Sequence, residues 1–415
     1  MYATTECATK NEFFVVARLN NTLRMIKKIA YILTIITLLI TESCRGEVAL
    51  PTFKKGLFLT GENIPVEYIG SIRNGKLIVK DTIDMKGRTC SLPADILLDI
   101  TKGQIKNGEL IGHGNLLKCS DNAFDRVQIR GEWIVSTIKS SFFADREYDN
   151  AISDIIALSS GKIKNKIIIE KGNYQVTIPN PWQSAITLNS NTELTLNGTI
   201  LLTPNDYPGC KIINVKGNDI IINGRGRIIG DKEYHKGKTG EWGMGINVDN
   251  VKNVKISGLT IEACWGDCIY IGKAERVKIE KCSLKNSRRQ GISVTAANNV
   301  KIRNCQITSI KGTAPEYAID VEPNKGDTCS NIIIDRIFIS DCQGGILSWG
   351  GAGNASVRNI KIQNCVLKKI HKTPFRFDDV DNVTVEKCNV SDFGQKDPFT
   401  LINLRNFKKR NIIVE

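Results

Sequence analysis

The sequence predicts an all-β protein, most of which is a parallel β-helix, a solenoid of stacked parallel strands. Three observations lead to this fold class. A period near 23 residues recurs through the C-terminal part of the 415-residue chain, and apolar residues alternate with polar ones within each period. Glycine is frequent, at 35 residues, while aromatic residues make up only 7%. Many short strands need tight turns, and a core built by stacking coils needs few aromatic side chains.

The beginning of the chain has the pattern of an export signal. Residues 25–44, "MIKKIAYILTIITLLITESC", carry a basic pair, then an apolar run too short for a membrane span, then small and polar residues. The end of this segment is similar to a bacterial lipoprotein cleavage box, with Ser43 before Cys44. Residues 1–44 are therefore predicted to be an over-extended start plus this signal. The mature protein is expected in the periplasm, on the outer membrane through a lipid on Cys44, or secreted.

Residues 45–145 are predicted to form a small N-terminal β-rich cap. The segments "KLIVKDTIDMKG", "GQIKNGELIGHG" and "RVQIRGEW" alternate apolar and polar residues between Gly and Asn turns. Residues 146–161, "REYDNAISDIIALSSG", are the one stretch with helical spacing of apolar residues. We expect this helix to cap the open end of a solenoid that extends over residues 146–415.

The repeat predicts several short strands in each coil. Its anchors are spaced by 23, 23, 32, 28, 23 and 29 residues and are Asn253, Arg276, Asn299, Asn331, Asn359, Asn382 and Asn411. Two apolar residues alternate after each anchor, which indicates strands inside the longer period. Six residues after four of the anchors stand Cys282, Cys305, Cys365 and Cys388. Stacked coils would place these cysteines in one buried column, which favours free thiols over disulfides.

Three segments carry a family resemblance: "TGEWGMGI" (239–246), "SRRQGISV" (287–294) and "APEYAIDVEPN" (314–324). With the repeats, they resemble the right-handed parallel β-helix superfamily of pectate lyases, polygalacturonases and phage tailspikes, over residues 146–415. The resemblance implies a right-handed solenoid and an exported bacterial protein that acts on polysaccharides.

The third strand of each coil can be aligned, and the alignment predicts a binding face. Ile246, Ile269, Ile292, Ile319, Ile346 and Phe375 share one inward position. The alternating side chains, among them Asp320 and Glu322, should then face solvent. Insertions on the same side would wall a groove. The predicted substrate-binding residues are Glu241, Trp242, Trp265, Asp267, Arg288, Gln290, Glu316, Glu322, Trp349 and Asp378.

The charge of the chain suggests an acidic partner. The net charge is +14, from 57 basic and 43 acidic residues, and the basic residues are spread out. No helix-turn-helix, zinc-finger or RNA-binding signature occurs, so nucleic acid is not expected. An acidic polysaccharide such as pectin or a glycosaminoglycan is the predicted partner, bound by a monomer or a trimer.

Two reactions compete on the predicted face. β-Elimination at a uronic acid needs a base and a cation for the substrate carboxylate. This lyase reaction is the preferred one, and its predicted catalytic residues are His235, Arg289, Tyr317, Asp320 and Arg376.

Hydrolysis would instead use Asp320 with Glu322 or Asp267. The Cα atoms of Asp320 and Glu322 should lie roughly 6.5 Å apart, near the carboxyl separation of about 6.5–9.5 Å in inverting hydrolases. The segment "WGDCI" (265–269) is similar to a polygalacturonase motif, with Cys268 in place of its second Asp. Asp320 and Glu322 could also bind Ca²⁺. A non-catalytic glycan-binding or tailspike-like protein is the remaining alternative.

Overall fold

The computed structural model describes residues 56–59, 75–145, 151–159, 162–351 and 353–415. The predicted export signal at residues 25–44 and the Cys44 anchor lie outside the described residues. Residues Phe53–Glu415 form one compact unit. Within the described residues, no helix is both long enough and apolar enough to span a membrane.

The N-terminal region is rich in β-structure, as predicted, and its strands are parallel. They form a seven-stranded sheet in which Thr82 pairs with Gln104 and Ile105 with Phe124. A strand therefore meets its neighbour about one coil later in the chain, as in a solenoid. The strands are β1 (Gly56–Leu59), β2 (Lys76–Val79), β3 (Thr82–Asp84), β4 (Thr89–Ser91), β5 (Leu97–Ile100), β6 (Gln104–Cys119) and β7 (Phe124–Ile134).

A short helix follows this sheet. The helix α1 (Ala151–Ala157) is shorter than the predicted 146–161, and a 3₁₀ turn at Ser140–Phe142 precedes it. Ile152, Ile155 and Ile156 are buried on α1, so its apolar face packs into the core. The boundary predicted at residue 145 between a cap and the solenoid stays a prediction.

Two long parallel sheets make up the rest of the described chain. The nineteen-stranded sheet takes two strands from most coils. Its strands are β8 (Thr137–Lys139), β9 (Asn165–Ile169), β10 (Asn173–Val176), β12 (Thr192–Leu196), β13 (Thr199–Leu202), β15 (Ile220–Gly224), β16 (Arg227–Ile229), β18 (Lys252–Ser257), β19 (Thr260–Glu262), β21 (Ala274–Glu280), β22 (Ser283–Lys285), β24 (Ala297–Arg303), β25 (Gln306–Thr308), β27 (Thr328–Asp335), β28 (Phe338–Cys342), β30 (Ser356–Gln363), β31 (Val366–Ile370), β33 (Val380–Phe393) and β35 (Arg405–Val414).

The nine-stranded sheet takes the third strand of each coil. Its strands are β11 (Ser184–Leu188), β14 (Gly209–Val215), β17 (Trp242–Asp249), β20 (Ile269–Gly272), β23 (Ile292–Val294), β26 (Tyr317–Val321), β29 (Gly344–Trp349), β32 (Phe375–Asp378) and β34 (Phe399–Ile402). The predicted alignment is confirmed residue by residue. Ile246, Ile269, Ile292, Ile319, Ile346 and Phe375 pair in this order across the sheet and are all buried.

The repeat anchors mark one kind of turn. All seven anchors, from Asn253 to Asn411, have φ between 52° and 61°, the left-handed region that Asn tolerates better than most residues. Asn359 donates a side-chain hydrogen bond to Asn331 at 3.0 Å, and Asn382 donates one to Asn359 at 2.7 Å. The turns are thus joined by a ladder of side-chain amides.

The cysteine column lies in the core between the sheets. Cys282, Cys305, Cys365 and Cys388 are buried, and every cysteine of the described chain is free. These thiols fill space between Ile and Val side chains, as the repeat predicted.

Candidate functional site

A pocket opens on the outer face of the nine-stranded sheet, between the coils of β23 and β26. The register places Ser293 directly beside Asp320. The pocket has a volume of about 190 Å³, and its lining residues are Arg289, Ser293, Thr295, Asp320, Glu322, Pro323, Asn324 and Lys325. The residues after β26 form part of the wall, as expected for a groove bordered by insertions.

The expectation that Asp320 faces solvent is wrong, because Asp320 is only 2% exposed. The residues just before β23 cover it. The buried Gln290 donates a hydrogen bond from Nε2 to Asp320 Oδ2 at 2.5 Å and accepts one at Oε1 from the Tyr317 backbone at 2.9 Å. Glu322, two residues further, is half-buried. The strand pattern gave the outward direction correctly but could not show this cover.

Burial raises the pKa of Asp320. Loss of solvation is the largest cause that raises the pKa of Asp320 well above its usual range, and the neighbouring charge of Glu322 raises it further. Arg289 opposes this effect, but Asp267 and a hydrogen bond with Glu322 add to it. Burial therefore favours the protonated form of Asp320, and its Oδ1 has no hydrogen-bond donor in contact with it. The carboxyl groups of Asp320 and Glu322 are hydrogen-bonded to each other. They therefore lie closer together than their Cα atoms, which are expected to be roughly 6.5 Å apart.

A second buried carboxyl group lies beneath Arg289. Asp267 Oδ2 accepts a hydrogen bond from Ser293 Oγ at 2.7 Å and lies 3.3 Å from Arg289 Nη1. Arg289 Nε also lies 3.5 Å from Glu241 Oε2. Burial raises the pKa of Asp267 to about 6, although Arg289 and Ser293 lower it. Arg289 thus connects Asp267 and Glu241, and it lines the same pocket as Asp320 and Glu322.

His235 lies in a separate cluster with Trp265 and Arg288. Its side chain is fully buried, and its Nδ1 is 2.8 Å from Asp231 Oδ2. The His235 ring stacks on Trp265 with centroids 3.9 Å apart, and the Arg288 guanidinium lies 3.8 Å from the Trp265 centroid. Arg288 also donates to the Gly240 carbonyl at 2.7 Å. This cluster packs the loop before β17, and none of the three side chains lines the pocket.

Tyr317 precedes Asp320 on β26, and Arg376 lies on β32, two coils further along the sheet. Tyr317 is buried, and a Cβ on Gly344 would stand 2.4 Å from its ring. Burial raises the pKa of Tyr317, while Thr373 and Arg376 act in the opposite direction. A tyrosine with a raised pKa is a proton donor rather than a base at neutral pH. Arg376 is more exposed and lies 3.5 Å from Asp378.

The remaining predicted residues are spread along the same face. Trp349 is half-buried at the end of β29, two coils from β23. Trp242 is exposed at the start of β17. Glu316 binds Lys372 at 3.0 Å and the Gly312 backbone at 2.6 Å, so it fastens two loops together. Burial would raise the pKa of Glu316, but these two partners lower it.

Sequence reasoning missed Ser293 and Lys325 in the pocket. Ser293 occupied an outward position in the alignment, but a serine gives no sign that it will hold a carboxylate. Lys325 lies in the insertion after β26, where no repeat position predicts a direction.

The predicted Ca²⁺ site at Asp320 and Glu322 does not fit the geometry. Gln290 presents an N–H donor to Asp320 Oδ2, whereas a cation needs oxygen ligands there. In the described part of the chain, no group of three or more His, Cys, Asp or Glu residues is arranged to hold a metal ion.

Comparisons with known proteins support the fold. Residues 198–359 match the family described as right handed beta helix region. Part of the chain is 37% identical over 117 residues to the SPbeta prophage-derived uncharacterized protein YorA of Bacillus subtilis strain 168. That match covers 24% of this chain and 20% of the relative, so the chain spans about a fifth of the length of this curated relative.

Two solved structures align with about two thirds of this chain. The exopolygalacturonase of Thermotoga maritima has a TM-score of 0.52 at 15% identity, over 65% of this chain and 76% of that one. ORF18 of Geobacillus virus E2 has a TM-score of 0.42 at 12% identity, over 67% and 61%. The predicted right-handed parallel β-helix is confirmed.

Proposed function

We propose that this protein is an enzyme that hydrolyses an acidic polysaccharide bound along the outer face of the nine-stranded sheet. The observation that carries the proposal is the buried Asp320, which contacts Glu322, lies beside Arg289 in an open pocket and has a pKa raised by loss of solvation. Glycoside hydrolysis needs a carboxylic acid with a raised pKa, and burial shifts the pKa of Asp320 in that direction.

In this proposal Asp320 is the general acid. It donates its proton to the glycosidic oxygen as the bond from that oxygen to the anomeric carbon breaks. Glu322, the half-buried second carboxyl group that lines the pocket, accepts a proton from the water that attacks the anomeric carbon. The buried Asp267 accepts hydrogen bonds from Arg289 and Ser293 and so holds these two side chains at the pocket.

Charge and shape support a polymeric, acidic substrate. Arg289 and Lys325 line the pocket, and the chain has a net charge of +14. Guanidinium and ammonium groups at a groove favour sugars that carry carboxylates. The Thermotoga maritima neighbour, an exopolygalacturonase, has its activity on the same fold. Export, a Cys44 lipid anchor and a monomeric or trimeric state are further parts of this proposal.

β-Elimination is the second candidate, and the contact between Tyr317 and Arg376 favours it. Arg376 is partly exposed and lies near enough to Tyr317 to lower its pKa against the effect of burial. An arginine of this kind could hold the substrate carboxylate, with Tyr317 supplying a proton to the leaving oxygen. The base is the missing part, because His235 is buried against Asp231 and Trp265.

One product assay separates these functions. The purified protein is incubated with a panel that includes polygalacturonate and chondroitin chains, while reducing ends and ultraviolet absorbance of 4,5-unsaturated sugars are followed together. We expect new reducing ends without the absorbance. A rise in both would establish the lyase instead, and binding without any product would establish a glycan-binding protein.

A further inference from the structure

Two exposed tryptophans form an aromatic surface beside the candidate site. Trp182 is 52% exposed and Trp242 is 42% exposed, and their ring centroids lie 5.5 Å apart at an angle of 42°. They come from coils that are two steps apart, because Trp182 precedes β11 and Trp242 begins β17, with β14 between them. Paired rings that remain this exposed leave flat apolar area for a ligand.

A glycine makes the pairing possible. Gly209 pairs with Trp242 in the register, and its carbonyl accepts a hydrogen bond from the Trp182 backbone at 2.6 Å. A Cβ at Gly209 would stand 2.3 Å from the Trp182 ring, so the ring lies across this coil where no side chain intervenes. The absent side chain lets one aromatic ring reach over a full coil to the next.

Backbone hydrogen bonds connect the coil of Trp242 to the coil of Arg289, which lines the pocket. Gly243, next to Trp242, accepts a hydrogen bond from Gly266, and Gly266 accepts one from Arg289. Arg289 therefore lies two coils, about 10 Å, from Trp242 along the solenoid. Glu241 bridges the gap through its contact with Arg289. Lys211 donates to the Trp182 carbonyl at 2.9 Å, which places a positive charge at the surface.

We infer that Trp182 and Trp242 form a distal subsite that stacks against a pyranose ring of the same acidic polysaccharide, a few sugars away from the pocket. The inference rests on the proposed function and names the part of the site that reads chain length. The aliphatic face of the sugar covers the rings, while Lys211 attracts its carboxylate. Short oligosaccharides that fill only the pocket do not reach the subsite.

Binding is measured in an Asp320→Asn background, so that the polymer stays intact. Isothermal titration compares long chains and short oligosaccharides of polygalacturonate and chondroitin. We expect Trp182→Ala and Trp242→Ala each to weaken binding of long chains by about 3- to 10-fold and to leave short ones unchanged. Gly209→Ala should act in the same direction without removing either tryptophan, because its methyl group displaces the Trp182 ring. Phe338→Ala, which removes an exposed ring from the nineteen-stranded sheet, is the matched control and should change nothing.

The outcomes separate the subsite from the proposed function. Equal weakening of long and short ligands, or no weakening in any variant, overturns the subsite while cleavage by the wild type stands. Selective weakening with no cleavage by the wild type supports the subsite and rejects the hydrolase. If sedimentation shows that the tryptophan variants lose a dimer, the surface is a contact between copies of this chain and the inference fails.

Discussion

The two long sheets treat a buried aspartate in opposite ways. Asp335, at the end of β27 in the nineteen-stranded sheet, is buried, but Asn364 and Gln363 donate to it and Arg336 lies 2.9 Å away. Burial raises its pKa, and these partners outweigh that effect and lower it. Asp320, in the nine-stranded sheet, has one donor and an acidic neighbour, and its pKa is raised. Burial alone therefore does not identify a reactive carboxyl group, and its set of partners does.

The same contrast extends along both outer faces. On the nineteen-stranded sheet, charged side chains are paired in the open, as with Lys361 and Glu386 at 2.8 Å. On the nine-stranded sheet, outward positions such as Asn247, Ser293 and Asp320 are buried polar groups. The outer face of the nineteen-stranded sheet is solvated. The outer face of the nine-stranded sheet holds polar groups away from water, where charge interactions are stronger.

Exchange of single carboxyl groups should produce the largest difference between the sheets. Asp320→Asn keeps the hydrogen bond from Gln290 but removes the proton donor, and we expect kcat to fall by about 10²- to 10⁴-fold. Asp335→Asn should leave kcat unchanged. Initial rates of reducing-end release at saturating substrate measure both. Comparable losses in the two variants would mean that Asp320 acts through folding rather than chemistry.

The pH dependence of stability should have opposite signs in the two sheets. The pKa of Asp267 rises from an ordinary 3.8 to about 6, so the folded state binds more protons than the unfolded state between these values. Its contribution to the free energy of unfolding then falls by about 2 kcal/mol as the pH rises from 4 to 6. Asp267→Asn removes this fall. The Tm of the variant should therefore increase relative to that of the wild type as the pH rises from 4 to 6.

Asp335 provides the comparison for this experiment. The partners that lower the pKa of Asp335 stabilise the folded state above pH 3.8. That stabilisation disappears as the pH falls through the pKa of Asp335 in the folded state. Asp335→Asn should therefore lower Tm at neutral pH and match wild type in acid. Thermal unfolding of both variants from pH 3 to 7 tests the two signs. Curves that run parallel for the two variants would remove the contrast between the sheets.

The amide ladder should give the smallest effect. Asn359→Ala removes the hydrogen bonds to Asn331 and from Asn382 and places Ala at a φ of 59°. We expect a loss of about 1–2 kcal/mol in the free energy of unfolding, with no change in kcat, and Asn359→Gly should recover the backbone part. Chemical denaturation measures the loss. A change in kcat would show that the turn ladder of the nineteen-stranded sheet influences the catalytic face.

The repeat made the backbone predictable to the residue. Each residue of the column from Ile246 to Phe375 pairs with the next, because a slip by one position would turn every apolar side chain outward. The turn positions were also readable, since Asn tolerates the left-handed conformation that the anchors adopt.

The site was only partly predictable, because its chemistry depends on side chains that cross between coils. The alignment indicated that Arg289, Asp267 and Asp320 share a face. It could not show that Gln290 folds over Asp320, or that His235 stacks on Trp265. Trp182 could have been found by extending the third-strand alignment two coils towards the N-terminus. Its pairing with Trp242 depends on the missing side chain of Gly209, which no repeat rule signals.

The constant spacing between coils fixes the length of the candidate groove. Seven strand spacings separate β11 from β32 in the nine-stranded sheet, so the groove between Trp182 and Arg376 is roughly 34 Å long. Each coil contributes one strand at a constant spacing. Inserting or deleting a whole coil would therefore lengthen or shorten the groove by one strand spacing without disturbing the other coils. The length of glycan that the groove covers is therefore determined by the number of coils between the two ends of the groove.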